Sequence, residues 1–297
     1  METFAKGLKP VLNKTVVKDL STIAKIALKE DIGDGDISAA LLLDKPAKAK
    51  IITRQQGIYC GDLWIEALQQ HIHPNFSTLA IHPQKKDGQS YHANDTLLTI
   101  KGNLRQLLSI ERTILNGLQL LCGIATKTHQ FVEKIKDLDC HILDTRKTIP
   151  GWRRAQKYAV HTGGAKNHRM GLYDAYLLKE NHQLSDQNAL QLIAKARQAN
   201  KHDNKNYDIC IEVESIEELE TALPAQPTQI LLDNFSIPQL TQAVKIKNQQ
   251  KSPSLLEASG NIDLHNIRQV AETGINCISI GALTKNIQAT DLSMRLL

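Results

Sequence analysis

ICIEVES (209–215), QILLDNF (229–235) and LLEASGN (255–261) are short apolar runs, each closed by polar or charged residues. On either side, HILDTRK (141–147), AYLLKEN (175–181) and CISIGAL (277–283) repeat the pattern. Amphipathic stretches such as QNALQLIAKARQA (187–199) and LHNIRQVAETG (264–274) lie between them. Strands alternating with helices imply parallel crossovers, and so either an open doubly wound sheet or a closed barrel. The reactive side chains favour the barrel. Asp144, Arg146, Lys147, Lys179, Glu212, Asp233, Glu257 and Ser259 all fall at or just past the ends of their runs. A barrel gathers such ends around one mouth, where sites of this architecture form. Six visible runs rather than eight leave its closure open.

Upstream the texture differs. Leu8, Leu12, Val16, Leu20 and Ile23 form an amphipathic pattern broken by Pro10, which predicts a helical arm leading into another helix. From about residue 47 to 101, short apolar runs alternate with turn residues, as in KAKIITRQQGIYCG (48–61) and LAIHPQKKDGQSYHANDTLLTIKG (79–102). A strand-rich first domain follows. ERTILNGLQLLCGIATKTHQFVEKI (111–135) then reads as a long, largely apolar helix at the seam between domains.

With 41% hydrophobic residues the chain can bury a sizeable core, so a folded protein of one large or two modest domains is expected. The five cysteines contain no C-x-x-C pair and read as buried, reduced thiols. There is no basic-then-apolar leader and no apolar run near bilayer length, so a cytoplasmic protein with no membrane contact is expected. The formal charge of +5 is spread among acids, and only 4% of residues are aromatic, which gives no stacking platform for nucleic acid. A small anionic substrate is the better use of that excess.

Neither a Walker loop, a dinucleotide fingerprint nor an H-E-x-x-H motif occurs. His71, His73, His82 and His92 lack Cys or acidic partners at regular spacing and read as surface residues. EDIGDGDIS (30–38) fails the calcium-loop pattern, with Ala39 where glycine is needed and Lys45 where glutamate is needed. Its glycines permit a tight turn and its aspartates cap neighbouring helices.

DTRKTIPGWR (144–153) sets Arg146 and Lys147 side by side before a Pro150-Gly151 turn. Alone, it is as easily a solvated basic loop as an anion site. KYAVHTGGAKNHRMGLYDAYLLKENH (157–182) shifts the balance by adding Gly163, Gly164, His168, Arg169 and Lys179. Lys179 suits either a Schiff-base nucleophile or an anion ligand. Glu212 and Asp233 on successive strands suit a hard cation or sugar hydroxyls. SGN (259–261) and GAL (281–283) each follow a strand and precede a helical pattern, where backbone N–H groups can cradle phosphate.

Taken together, the segments DTRKT-PG-R, GG-KNHRMGL-DA-L-KENH, IEVE, LLDNF and ASGN resemble the quinolinate phosphoribosyltransferase family, also called nicotinate-nucleotide pyrophosphorylase (carboxylating). The likeness runs from EDIGDGDIS to ISIGALTKNIQATDLSMR. It implies an α/β fold: a helical arm (1–24), an α/β sandwich domain (25–114) and an incomplete (β/α) barrel domain (115–297) whose end packs back on the first. It further implies a magnesium-dependent enzyme of NAD biosynthesis. Such an enzyme transfers the phosphoribosyl group of phosphoribosyl pyrophosphate to quinolinate with decarboxylation, giving nicotinate mononucleotide.

On the same ground, Arg112, Arg146, His168, Arg169 and Lys179 surround quinolinate. Lys147, Glu212, Asp233, Ser259, Gly260 and Gly281 hold phosphoribosyl pyrophosphate, Glu212 and Asp233 also serve the metal, and Lys147, Lys179, Glu212 and Asp233 carry the chemistry. The resemblance implies a homodimer with composite sites and leaves further association open. Ala165 departs from a third glycine, and Lys285 from a histidine near the phosphate. A related phosphoribosyltransferase for another aromatic acid, a Schiff-base aldolase and a silent phosphometabolite binder are the rival readings.

Overall fold

The computed structural model describes residues 13–72, 76, 78–179 and 189–297. His73, the ENH end (180–182) of the 157–182 segment and the Pro10 break in the predicted N-terminal arm lie outside them. In chain order the elements are α1 (Asn13–Ile32), β1 (Pro46–Thr53), β2 (Gly57–Ile58), α2 (Asp62–Ile72), β3 (Ala80–Pro83), β4 (Ser90–Tyr91), β5 (Thr96–Asn103) and α3 (Leu104–Ile135). There follow β6 (His141–Leu143), α4 (Arg153–Thr162), β7 (Tyr176–Leu178), α5 (Ala189–His202), β8 (Ile209–Val213), α6 (Ile216–Ala222), β9 (Gln229–Asp233) and α7 (Ile237–Gln249). The chain closes with β10 (Leu255–Ser259), α8 (Ile267–Glu272), β11 (Cys277–Ser279), α9 (Ala282–Lys285) and β12 (Leu292–Leu296).

The chain divides into two compact units. Among the described residues, one comprises those within 13–129, 148–164 and 283–297, and the other those within 130–147 and 165–282. A single cut at residue 115 does not reproduce them, because it falls inside α3 and because α4 belongs with the first unit. The tie is physical. Arg154 donates to Asp19 on α1 at 2.7 Å, Tyr158 donates to Asp87 at 2.6 Å, and the Trp152 ring lies 5.8 Å from that of Trp64.

The first unit holds an antiparallel sheet in the order β12-β1-β5-β3, with α1 packed on α2 and α4. Trp64 is buried and donates its indole N–H to the Ile114 carbonyl of α3. The EDIGDGDIS turn forms as expected at Asp36, whose Oδ1 accepts the N–H groups of Ser38 and Ala39 and whose Oδ2 accepts the Ser109 hydroxyl. These donors hold its carboxyl below the usual carboxylate range, the Ala39 N–H contributing most.

Gly123 sits inside α3, where a methyl group would overlap the Gln288 carbonyl oxygen. Alanine improves helix propensity by about 1 kcal/mol, but overpacking against backbone costs roughly 1–3 kcal/mol. Gly123→Ala is therefore expected to lower the urea midpoint of unfolding. A raised midpoint would show the contact is not there.

The second unit is the strand-and-helix array of the expected α/β fold. Six strands run parallel in the order β6-β11-β10-β9-β8-β7. They are the strands of the six runs read from sequence. The ladder ends at β6 and β7, and at the β6 side residue 166 adds one further parallel bridge to Leu143. An incomplete barrel is what these pairings describe.

Candidate active site

Because neighbours in register share a face, the pairings sort each strand into two sides. Ile142, Ile209, Ile211, Val213, Ile230, Leu232, Leu256, Ala258 and Ile278 form one side, aliphatic and buried, as the crossover helices of a parallel sheet require. The other side is chemically mixed. Lys179, Glu212, Leu231, Glu257, Cys277 and His141 lie along one row. Asp233 and Ser259 pair one step nearer the strand ends, while Cys210 and Gln229 pair one step below. The Cys210 and Cys277 thiols are pushed well up, first by burial and next by the charge of Glu257.

Lys179 Nζ donates to Glu212 Oε2, with the lysine side chain 43% exposed and the glutamate 13%. Asp233 accepts the Ser259 hydroxyl at 2.5 Å and the Asn234 amide at 2.8 Å. Asn234 adopts φ +57° and donates its backbone N–H to the Ser259 carbonyl at 2.9 Å. Gly260, at φ +93°, is required twice over, since a Cβ there would also collide with Asn234 Oδ1.

SGN and GAL were both expected to open helices. Gly281 does stand before α9, but the chain turns through 261–266 before α8 begins, so SGN does not. Positive φ at Gly260 and Asn261 sends the chain away instead.

The β6 end carries the cations. Asp144, fully buried, accepts the Asn167 amide at 2.7 Å and the His168 backbone N–H at 2.8 Å. Lys166 N–H bonds to the Ile142 carbonyl at 2.9 Å, so residues 166–169 run beside β6. Arg169 is buried, with Nη1 on the Ala175 carbonyl at 3.0 Å. Burial lowers its pKa, and the like charge of Arg146 lowers it further. A buried guanidinium with a second arginine's charge nearby makes a site that gains from an anion. Lys147 lies over Gly281, where a Cβ would stand 3.1 Å from its Cδ and 3.9 Å from its Nζ.

The second unit thus brings together two sets of the predicted residues, Lys179 with Glu212 and Asp233 with Ser259. It also sets Arg146 beside Arg169 and Lys147 against Gly281. His168 follows Asn167 into this region. Arg112 belongs to the first unit, exposed on α3. Asn234, Asn167, Asp144 and Glu257 were not assigned to the site from sequence. Asp144 and Glu257 carried a signal, since both close apolar runs, but nothing marked them as supports for other side chains.

Models of two domains match nearly all of the chain: the quinolinate phosphoribosyl transferase N-terminal domain over residues 36–122 and its C-terminal domain over residues 124–295. A probable nicotinate-nucleotide pyrophosphorylase [carboxylating] of Bacillus subtilis is 37% identical over 268 residues, 89% of each chain. The chloroplastic nicotinate-nucleotide pyrophosphorylase of Arabidopsis thaliana is 31% identical, over 98% of this chain and 86% of its own. Among solved structures, the nicotinate-nucleotide pyrophosphorylase of Francisella tularensis superposes with a TM-score of 0.88 at 40% identity, covering 95% of this chain and 97% of that one. That of Ehrlichia chaffeensis gives 0.83 at 37% identity, covering 93% and 98%.

Proposed function

The chain belongs to the quinolinate phosphoribosyltransferase family, and on that premise we propose that the strand-end groups described above divide into two substrate sites. Its reaction joins the phosphoribosyl group of phosphoribosyl pyrophosphate to the ring nitrogen of quinolinate and releases pyrophosphate and CO2, giving nicotinate mononucleotide for NAD synthesis. Quinolinate, a dianion, is held by Arg146, Arg169 and Lys179, with His168 beside them and Arg112 from a second copy. Phosphoribosyl pyrophosphate is held by Lys147, Glu212, Asp233, Ser259, Gly260 and Gly281. The buried Arg169 guanidinium carries this reading, because its Nε has no partner among the described residues and a carboxylate would supply one.

Held this way, the pyridine nitrogen is presented to the anomeric carbon, whose transition state has oxocarbenium character. Glu212 and Asp233 fix the ribose hydroxyls, and Lys147 meets the charge that collects on the departing pyrophosphate. The transferred ring nitrogen is then cationic and takes up the electron pair left when the neighbouring carboxylate departs. A proton finally replaces that carboxylate on the ring.

Among the described residues no three His, Cys, Asp or Glu side chains form a metal cage. Two carboxylates beside a pyrophosphate are nonetheless the donor set magnesium uses when substrate oxygens complete its shell, so Glu212 and Asp233 fit it. Bound there, the ion would neutralise charge on the leaving group. Excess chelator is expected to abolish turnover, and full activity in its presence would remove the metal from the scheme.

The direct test is pure protein with quinolinate, phosphoribosyl pyrophosphate and magnesium, followed by assay for nicotinate mononucleotide and CO2. Absence of both products refutes the reading. Nicotinate lacks the second carboxylate and leaves buried cations unpaired. It should react at least ~100-fold less efficiently, and comparable turnover of the two acids would overturn the two-carboxylate site. A Schiff-base role for Lys179 is disfavoured, since its amine faces a carboxylate rather than the apolar wall or cationic neighbour that role needs.

We further propose a homodimer with composite sites. It is supported by the exposed apolar side chains Ile37, Leu41, Leu43, Leu172 and Tyr173, which a second copy would cover. A cytoplasmic setting is supported by five cysteines that are all buried and unbridged. No helix among the described residues is long and apolar enough to cross a membrane.

A further inference from the structure

Glu257 is completely buried on the strand face that carries the site. Its Oε2 accepts the Gln229 amide and lies 3.5 Å from His168 Nε2, while its Oε1 has no partner among the described residues. Packing alone does not call for an acid here. Leu231, its neighbour in register, fills the equivalent place one strand away with a leucine. A buried carboxylate is costly where an apolar residue fits, so it is expected to serve something beyond stability.

What it serves is the histidine ring. His168 Nδ1 accepts the backbone N–H of Arg169 at 2.7 Å, which places a ring proton on Nε2, on the side of Glu257. Both ring nitrogens therefore have protein partners, and one of those partners is the residue whose guanidinium awaits a carboxylate. We propose that Glu257 is a positioning residue for quinolinate: it holds the tautomer and orientation of His168, and His168 in turn fixes the backbone that aims Arg169. On this view His168 contributes to binding through Arg169 rather than by touching the substrate. The proposal rests on the reading of this site as the quinolinate site, but its first readout does not.

The experiment uses the full-length protein with 15N-labelled histidine, as wild type, Glu257→Gln and Glu257→Leu, with His168→Asn to assign the resonance. In wild type, His168 should be the Nε2–H tautomer. Glu257→Gln should keep it, because one amide oxygen can accept from both Gln229 and His168 and the new NH2 falls where Oε1 already lacks a partner.

Glu257→Leu should lose the tautomer preference and raise KM for quinolinate about tenfold, with KM for phosphoribosyl pyrophosphate within about twofold. Removing a negative charge would by itself strengthen binding of a dianion, so the expected change has the opposite sign to the electrostatic one. Three results overturn the proposal: an Nδ1–H tautomer in wild type, an unchanged quinolinate KM in Glu257→Leu, or a Glu257→Gln protein as impaired as Glu257→Leu. Should the leucine variant fail to fold, the wild-type tautomer and the glutamine variant still decide it. A protein with the expected tautomer but no turnover would count against the substrate reading alone.

Discussion

Replacing Lys179 with alanine is expected to lower kcat/KM for quinolinate by roughly 30- to 5,000-fold, the equivalent of about 2 to 5 kcal/mol of transition-state stabilisation. The range follows from how dry the ammonium becomes. At 43% exposure it is half in water, and a charge so placed is worth little. A bound dianion would cover it and move the effect toward the upper figure. The same change strips Glu212 of its ammonium, leaving a carboxylate only 13% exposed with one fewer cation beside it. On the proposed reading Glu212 holds phosphoribosyl pyrophosphate, and because it touches Lys179 the affinity for that substrate, read by calorimetry, should shift as well, but by much less than the loss for quinolinate. Wild-type kcat/KM in the variant would exclude Lys179 from the site.

A mixture of two dead proteins should come back to life. Arg112 is exposed on α3, a poor place for a guanidinium to serve its own unit but a natural one for it to serve a second copy. Arg112→Ala and Lys179→Ala chains, each nearly inactive, are therefore expected to regain activity when unfolded and refolded together. In a two-fold dimer with composite sites, one site of each mixed pair collects both defects and the other collects neither. About half of randomly formed dimers are mixed, so recovery should approach one quarter of wild-type activity. If mass spectrometry confirms mixed dimers and activity stays absent, Arg112 works within its own chain or not at all.

The parallel sheet was legible because its strands are short apolar runs, such as ILL in QILLD, most of them stopped abruptly by a charged residue. The charged groups at those stops were legible for the same reason. Less visible was the helix α3, which starts at Leu104 rather than near 111. β5 runs straight into it, with Gly102 two residues ahead of Leu104 and Asn103 Oδ1 taking the Arg105 N–H, so no loop separates strand from helix. The allegiance of α4 was hidden as well. It sits between two segments of the second unit in sequence, and the pairs Arg154–Asp19 and Tyr158–Asp87 that hold it to the first join residues far apart in the chain.

Supports escaped for another reason. Asn234 matters through a left-handed backbone and Glu257 through a neighbour's ring, and neither property leaves a spacing to read. What the strand-end charges bind is likewise not written in their periodicity, and came only with the wider resemblance.

β12 pairs with β1 along residues 49–53, yet it is synthesised roughly 240 residues later. At typical translation speeds of ~5–20 residues per second, β1 waits on the order of 10–50 s on the ribosome with its outer N–H and C=O groups unpaired. Such an edge is a template for any other extended chain. Lys48 and Lys50 lie on the waiting strand, and their charges discourage that error during the interval. Exchanging both for threonine should leave the finished fold nearly unchanged yet increase the fraction of nascent chains lost to aggregation, a cost levied on biogenesis rather than on the native state.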